Sequence, residues 1–114
     1  MEFPDEQIKE MEKVCGDVRR IEEGGKTYFY IPTLTLPDGC DPNVVEAMLC
    51  PVERDGYPSR LFFSAMVKAP FPRNWNANGV RIMERQWYAF SYQNVKGTLL
   101  QMLGAHLRGL KENR

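Results

Sequence analysis

Net charge, paired cysteines and long apolar runs are what this sequence lacks, and each absence removes a class of function. Fifteen basic and fifteen acidic residues cancel to a formal charge of zero. Proteins that grip nucleic acid carry a basic excess that displaces counterions from the phosphates. No such excess, and no Lys/Arg cluster interleaved with aromatics, is present here, so nucleic acid is not an expected partner. Cys15, Cys40 and Cys50 form an odd set without C-x-x-C spacing, which supports neither a disulfide framework nor a zinc site and fits a reducing cytosol. The longest apolar run, Leu61 to Val67, is interrupted by Ser64. It falls far short of the ~20 residues a membrane span needs. The segment Met1-Glu2-Phe3-Pro4-Asp5-Glu6 has neither the basic residues nor the apolar stretch of a signal peptide, so the expected location is cytoplasmic, with no membrane partner.

Chemistry-bearing motifs are scarce as well. There is no G-x-G-x-x-G, no phosphate loop and no G-x-S-x-G, and no cofactor is expected. The one histidine, His106, has no Cys or second His within a helical turn, so no metal site is expected and it reads as a packed or surface side chain. Carboxylate pairs occur at Glu22-Glu23 and Asp38/Asp41; the first flanks a turn, where solvation is the simplest reading.

What is present suffices for one core. In 114 residues, 43% are hydrophobic and 11% aromatic, which predicts a single domain over 1–114 and argues against disorder. Ile8, Met11, Val14 and Cys15 recur at helical spacing between Pro4 and Gly16, predicting an N-terminal helix over 3–15. Val18 to Glu23 and Lys26 to Leu36, joined by Gly24-Gly25, predict a hairpin with a two-residue turn. Val44 to Cys50 and a segment beginning at Leu61-Phe62-Phe63 predict two further strands. Ala69 to Asn78, rich in Pro and Asn, predicts an extended surface loop. Asn94 to Asn113 returns to helical spacing, with Asn94 as N-cap, although Gly97, Gly104 and Gly109 each disfavour helix. The expected architecture is α+β: an N-terminal helix, a four-stranded antiparallel meander, a long loop and a C-terminal helix.

A catalytic thiol needs access and a lowered pKa. Cys15 sits at a helix C-terminal end, where the dipole disfavours thiolate, and Cys50 ends an apolar strand. Cys40, in a turn beside Asp38 and Asp41, is expected to be the most exposed, with its pKa raised by those acids.

The order of elements resembles that of ubiquitin-conjugating enzymes, as do several local features. Tyr57-Pro58 followed by Leu61-Phe62-Phe63 is similar to the family's Tyr-Pro turn and next strand. In Pro72-Arg73-Asn74-Trp75-Asn76-Ala77-Asn78-Gly79, Asn74 and Gly79 keep the spacing of the family's His-Pro-Asn motif Asn and its downstream Gly, with Pro72 and Arg73 replacing the His and Pro. Three residues on, where the family carries its catalytic Cys, stands Ile82. Trp87 and the segment from Asn94 to Leu110 resemble the family's Trp and the helix after its active site. The opening helix, the Glu-Glu-Gly-Gly hairpin and the Leu36-Pro37 turn look most like small bacterial members tied to ubiquitin-like modifier systems.

The resemblance implies a non-catalytic interaction protein, because isoleucine offers no lone pair for thioester transfer. Its partner would be a ubiquitin-like modifier, an activating enzyme or a companion conjugating enzyme. Asn74 matches the motif residue that faces an oxyanion in active members. Phe71, Arg73, Trp75 and Tyr92 are candidate partner-binding residues, since Trp, Tyr and Arg dominate hot spots. Two alternatives stay open: a transfer enzyme whose nucleophile is Cys40 or Cys50, and a structural subunit of an unrelated assembly.

Overall fold

The structure, a computed structural model, describes residues 3–93 and 95–111. Helix α1 (Asp5–Cys15) begins after Pro4, carries Asp5 and Glu6 in its first turn, and stops at Gly16, whose φ is +83°. Strands β1 (Arg19–Glu23), β2 (Lys26–Thr35), β3 (Val44–Cys50) and β4 (Arg60–Phe63) form the expected antiparallel meander. Gly24 and Gly25 adopt φ of +59° and +77°, the geometry of the tight turn between β1 and β2.

The sheet has six strands rather than four, in the order β1-β2-β3-β4-β6-β5. The expected loop ends at Asn76, and β5 (Ala77–Ile82) and β6 (Arg85–Ala89) form a second hairpin. Its turn, Met83-Glu84, has φ of +53° and +59° without the Gly, Asn or Asp that normally marks such a turn, and so carries no turn signal in the sequence. Tertiary contacts hold it: the Met83 N–H points at the Glu23 carboxylate, 3.1 and 3.2 Å from its two oxygens.

That contact also reveals how the sheet curls. β6 registers with β4 at one pair only, Phe63 with Tyr88. The hairpin then crosses the meander, and its tip reaches the β1–β2 turn. Arg85 of β6 grips Glu46 of β3 through two bonds of 2.8 and 2.9 Å. The Trp87 ring meets Tyr30 of β2 edge-on at 6.5 Å. The hairpin therefore closes one face of the sheet, over Tyr28, Met48, Cys50, Phe62, Ile82 and Trp87. On the other face α1 and α2 (Leu99–Lys111) cover Phe29, Ile31, Leu49, Leu61 and Phe63. Burial on both sides explains why Met48-Leu49-Cys50 and Leu61-Phe62-Phe63 are continuously apolar instead of alternating.

The C-terminal helix starts later than its periodicity predicts. Gly97 has φ of +107°, outside helical space, and Thr98 with Gln101 forms a reciprocal cap. The Thr98 N–H donates to Gln101 Oε1 at 2.8 Å, and the Gln101 N–H donates to Thr98 Oγ1 at 3.3 Å. The Gln7 side chain accepts from the Leu99 N–H at 3.1 Å, tying α2 to α1. The expected N-cap, Asn94, lies outside the described residues. Among the described residues no helix is long and apolar enough to cross a membrane, and no group of three His, Cys, Asp or Glu could hold a metal ion.

Candidate functional site

The segment Pro72–Asn76 runs beside Ser91–Gln93 at the base of the β5–β6 hairpin. The Asn74 carbonyl accepts from the Ser91 N–H at 2.7 Å and from the Asn76 N–H at 3.0 Å. A cleft of about 350 Å³ opens there, lined by Pro72, Arg73, Asn74, Ser91, Tyr92 and Gln93. None of these carries a thiol.

The four residues considered for partner binding are positioned unequally. Trp75 packs edge-on against Phe63 at 5.7 Å and Phe90 at 5.5 Å, so its ring pins the loop to the sheet. Tyr92 is only 8% exposed, against Phe90 and the imidazole of His106. Arg73 donates from Nε to the Gly109 carbonyl, a cation at the negative end of α2, and from Nη1 to Pro72 O at 2.7 Å. Phe71 is half-buried in the exposed turn between Pro70 and Pro72.

Ile82 is 0% exposed at the far end of β5, inside the hairpin-covered cluster, and its carbonyl accepts from Trp87 Nε1 at 3.0 Å. Five steps of strand separate it from Ala77, about 16 Å at ~3.3 Å per residue. Asn74 and Ile82, related by motif spacing, therefore stand at opposite ends of the hairpin and share no site.

All three thiols are pushed up in pKa, and burial is the first cause in each case. Cys40 is 6% exposed, not the accessible thiol its turn suggests. The paired backbone of Asp41 and Lys68, with N–H to O distances of 2.9 and 2.8 Å, folds its turn against the segment after β4. Cys50 is fully buried and points its Sγ at the Val52 carbonyl, 3.5 Å away. Cys15 is the partly exposed one.

Sequence reasoning missed a polar network behind the cleft. Arg60, buried at the start of β4, donates to Asn76 Oδ1 at 2.5 Å and to the Phe90 carbonyl at 3.3 Å, and lies 4.3 Å above the Tyr57 ring. Its nearest carboxylate is that of Asp55 at 3.8 Å, and desolvation lowers its pKa. Asn76 donates in turn to Tyr57 OH at 2.6 Å, which shares a hydrogen bond of 2.9 Å with Ser91. Beside it, Ser59 donates to the Cys50 carbonyl at 2.8 Å and contacts His106 Nε2 at 3.0 Å. Because serine has one proton, His106 must be the donor in that contact, with its own proton on Nε2. The pair is thus oriented against serine activation: the imidazole gives a hydrogen bond where a general base would receive one. Burial, then the Arg60 charge, hold His106 neutral, with a pKa lowered to about 3. No signal in the sequence pairs Ser59 with His106 across 47 positions. Compared with family models, curated proteins and solved structures, the chain matches none.

Proposed function

We propose that the chain is a non-catalytic, cytoplasmic interaction protein, a conjugating-enzyme-like module that binds a component of a bacterial ubiquitin-like modifier pathway. The observation that carries the non-catalytic part is the chemistry around Asn74. The adjoining cleft is lined without a thiol, Ile82 is sealed in apolar packing, and the three cysteines are shifted away from thiolate. His106 is neutral, buried and already donating, so it supplies no base. The pathway part is supported by the sequence resemblance and by the α+β order of helix, antiparallel sheet and helix.

The test incubates the chain with a bacterial ubiquitin-like modifier, its activating enzyme and ATP. The expected outcome is complex formation that persists after treatment with an alkylating reagent, which reaches the partly exposed Cys15, and in the Cys40→Ser and Cys50→Ser variants, with no thiol-sensitive adduct. An adduct that disappears with Cys40→Ser or Cys50→Ser would instead assign transfer chemistry. Absence of any complex with modifier, activating enzyme or companion conjugating enzyme removes the pathway reading. Within the loop, Phe71→Ala is the informative variant. Trp75→Ala unseats packing against Phe63 and Phe90 and would weaken binding through the fold.

A further inference from the structure

Two glycines inside α2 have opposite surroundings. A Cβ on Gly109 would come within 3.0 Å of the Phe90 ring and 3.1 Å of the Tyr92 ring, so the close approach of the helix to the segment after β6 requires glycine there. A Cβ on Gly104 would meet only Arg108 Nη1, at 3.6 Å, an ordinary contact. Nothing in the fold demands glycine at 104, although it is the poorest helix former after proline.

The missing side chain leaves space open. Gly104 borders a groove of about 430 Å³ walled by Val14, Leu34, Leu100, Leu103 and Leu107, where α1, β2 and α2 converge. Val14, on its rim, is 67% exposed. On the other flank of α2, Lys96, Gln101, Ala105 and Arg108 line a shallow depression of about 620 Å³. Position 104 falls between 100/107 and 101/108 on the helical net, so apolar groove and basic depression meet at this glycine. Lys96, Arg108 and Lys111 are exposed and form no ion pair with any described residue. Residues 85–111 contain no Asp or Glu at all.

We propose that this saddle is a docking site for an acidic partner segment, whose aliphatic side chains fill the groove and whose carboxylates meet Lys96 and Arg108. Charge selects this occupant over a second copy. A twofold contact centred on Gly104 would set the cations of one α2 against those of the other. The inference goes beyond the modifier-pathway reading and does not depend on it.

The probe is a labelled peptide of about twelve residues carrying leucines at helical spacing among Glu and Ser, with matched Lys-for-Glu and Ser-for-Leu versions. Titration into isotopically labelled chain should shift amide signals of Val14, Thr33 to Thr35 and Leu100 to Arg108, and only for the Glu/Leu peptide. Gly104→Leu should weaken that binding by about tenfold or more while leaving the remaining spectrum intact. Gly104→Ala, the folding control, should weaken it far less. The pair Lys96→Glu with Arg108→Glu should transfer preference to the Lys/Leu peptide. No shift at millimolar peptide, shifts outside the saddle, or equal response to both charge versions would overturn the proposal. So would self-association in sedimentation that Gly104→Leu abolishes, which assigns the groove to a second copy. A chain that binds the peptide but no modifier component sinks only the pathway reading, and the reverse result sinks only this one.

Discussion

On one face of the sheet two helices lie over Phe29, Leu49, Leu61 and Phe63, while on the other the chain folds its own β5–β6 hairpin over Tyr28, Met48, Phe62 and Trp87. The hairpin face is closed by polar clamps at its margin, Arg85 on Glu46 and Met83 on Glu23, with a dense aromatic cluster beneath. The helical face is less complete: it leaves an apolar groove between α1, β2 and α2, and buries a polar chain from His106 through Ser59 to the Cys50 carbonyl. Filled space and satisfied clamps mark a surface spent on stability. Open apolar space beside cations that form no ion pair among the described residues marks one left for something else.

The sharpest way to break that contrast is to remove the wedge of the hairpin face. Trp87 is fully buried, bonds Ile82 O and carries the Arg85 guanidinium 4.8 Å above its ring. Trp87→Ala should cost about 3–5 kcal/mol in denaturant unfolding. It should also free the Met83 and Arg85 amides to exchange. A loss under about 1 kcal/mol would mean that the hairpin is an appendage and the face is closed some other way.

On the helical face the corresponding weakness is pH. The folded imidazole of His106 refuses a proton until about pH 3, whereas the unfolded one accepts it near 6.5. Below about pH 6.5 the unfolded state therefore binds more protons, and stability falls as pH falls. At pH 5 the loss from this group is about 2 kcal/mol relative to pH 7. His106→Gln should flatten the stability profile between pH 7 and 5. An unchanged slope in that variant would show that other groups set it.

How much of this was legible beforehand follows from where signals are local. The sequence predicts β3 with its observed bounds, and β1 and β2 to within a residue at each end, because Gly24-Gly25 and the Val44–Cys50 run carry their own geometry. The second hairpin leaves no local signal, because Met83-Glu84 adopts left-handed φ without any residue that prefers it. Trp87 stands out in the sequence only through the resemblance to conjugating enzymes. The Arg60–Asn76–Tyr57–Ser91 network was invisible because its members are drawn together by the curl of the sheet. The separation of Asn74 from Ile82 was not legible for a related reason: the residues between them, from Ala77 onward, are drawn out along a strand.

That same turn offers a milder test. Met83 and Glu84 pay for left-handed backbone that glycine or asparagine adopts freely, as the β1–β2 turn shows. Replacing Met83-Glu84 by Asn-Gly should stabilise the chain by about 1 kcal/mol. No gain, or a loss, would indicate that the exposed Met83 side chain contributes more packing than its backbone costs.

The smallest expected effect discriminates best between the two uses of a helix. Gly104 and Gly109 share α2, so intrinsic propensity favours alanine at both by up to about 1 kcal/mol. At Gly109 the new methyl must push the Phe90 and Tyr92 rings aside, since they lie 3.0 and 3.1 Å from its position, and overpacking should outweigh propensity. At Gly104 no such neighbour exists. Gly104→Ala should therefore raise the melting temperature slightly while Gly109→Ala lowers it, both read by calorimetry on the full chain. If Gly104→Ala destabilises instead, its glycine serves the fold, and the open groove is a by-product of packing.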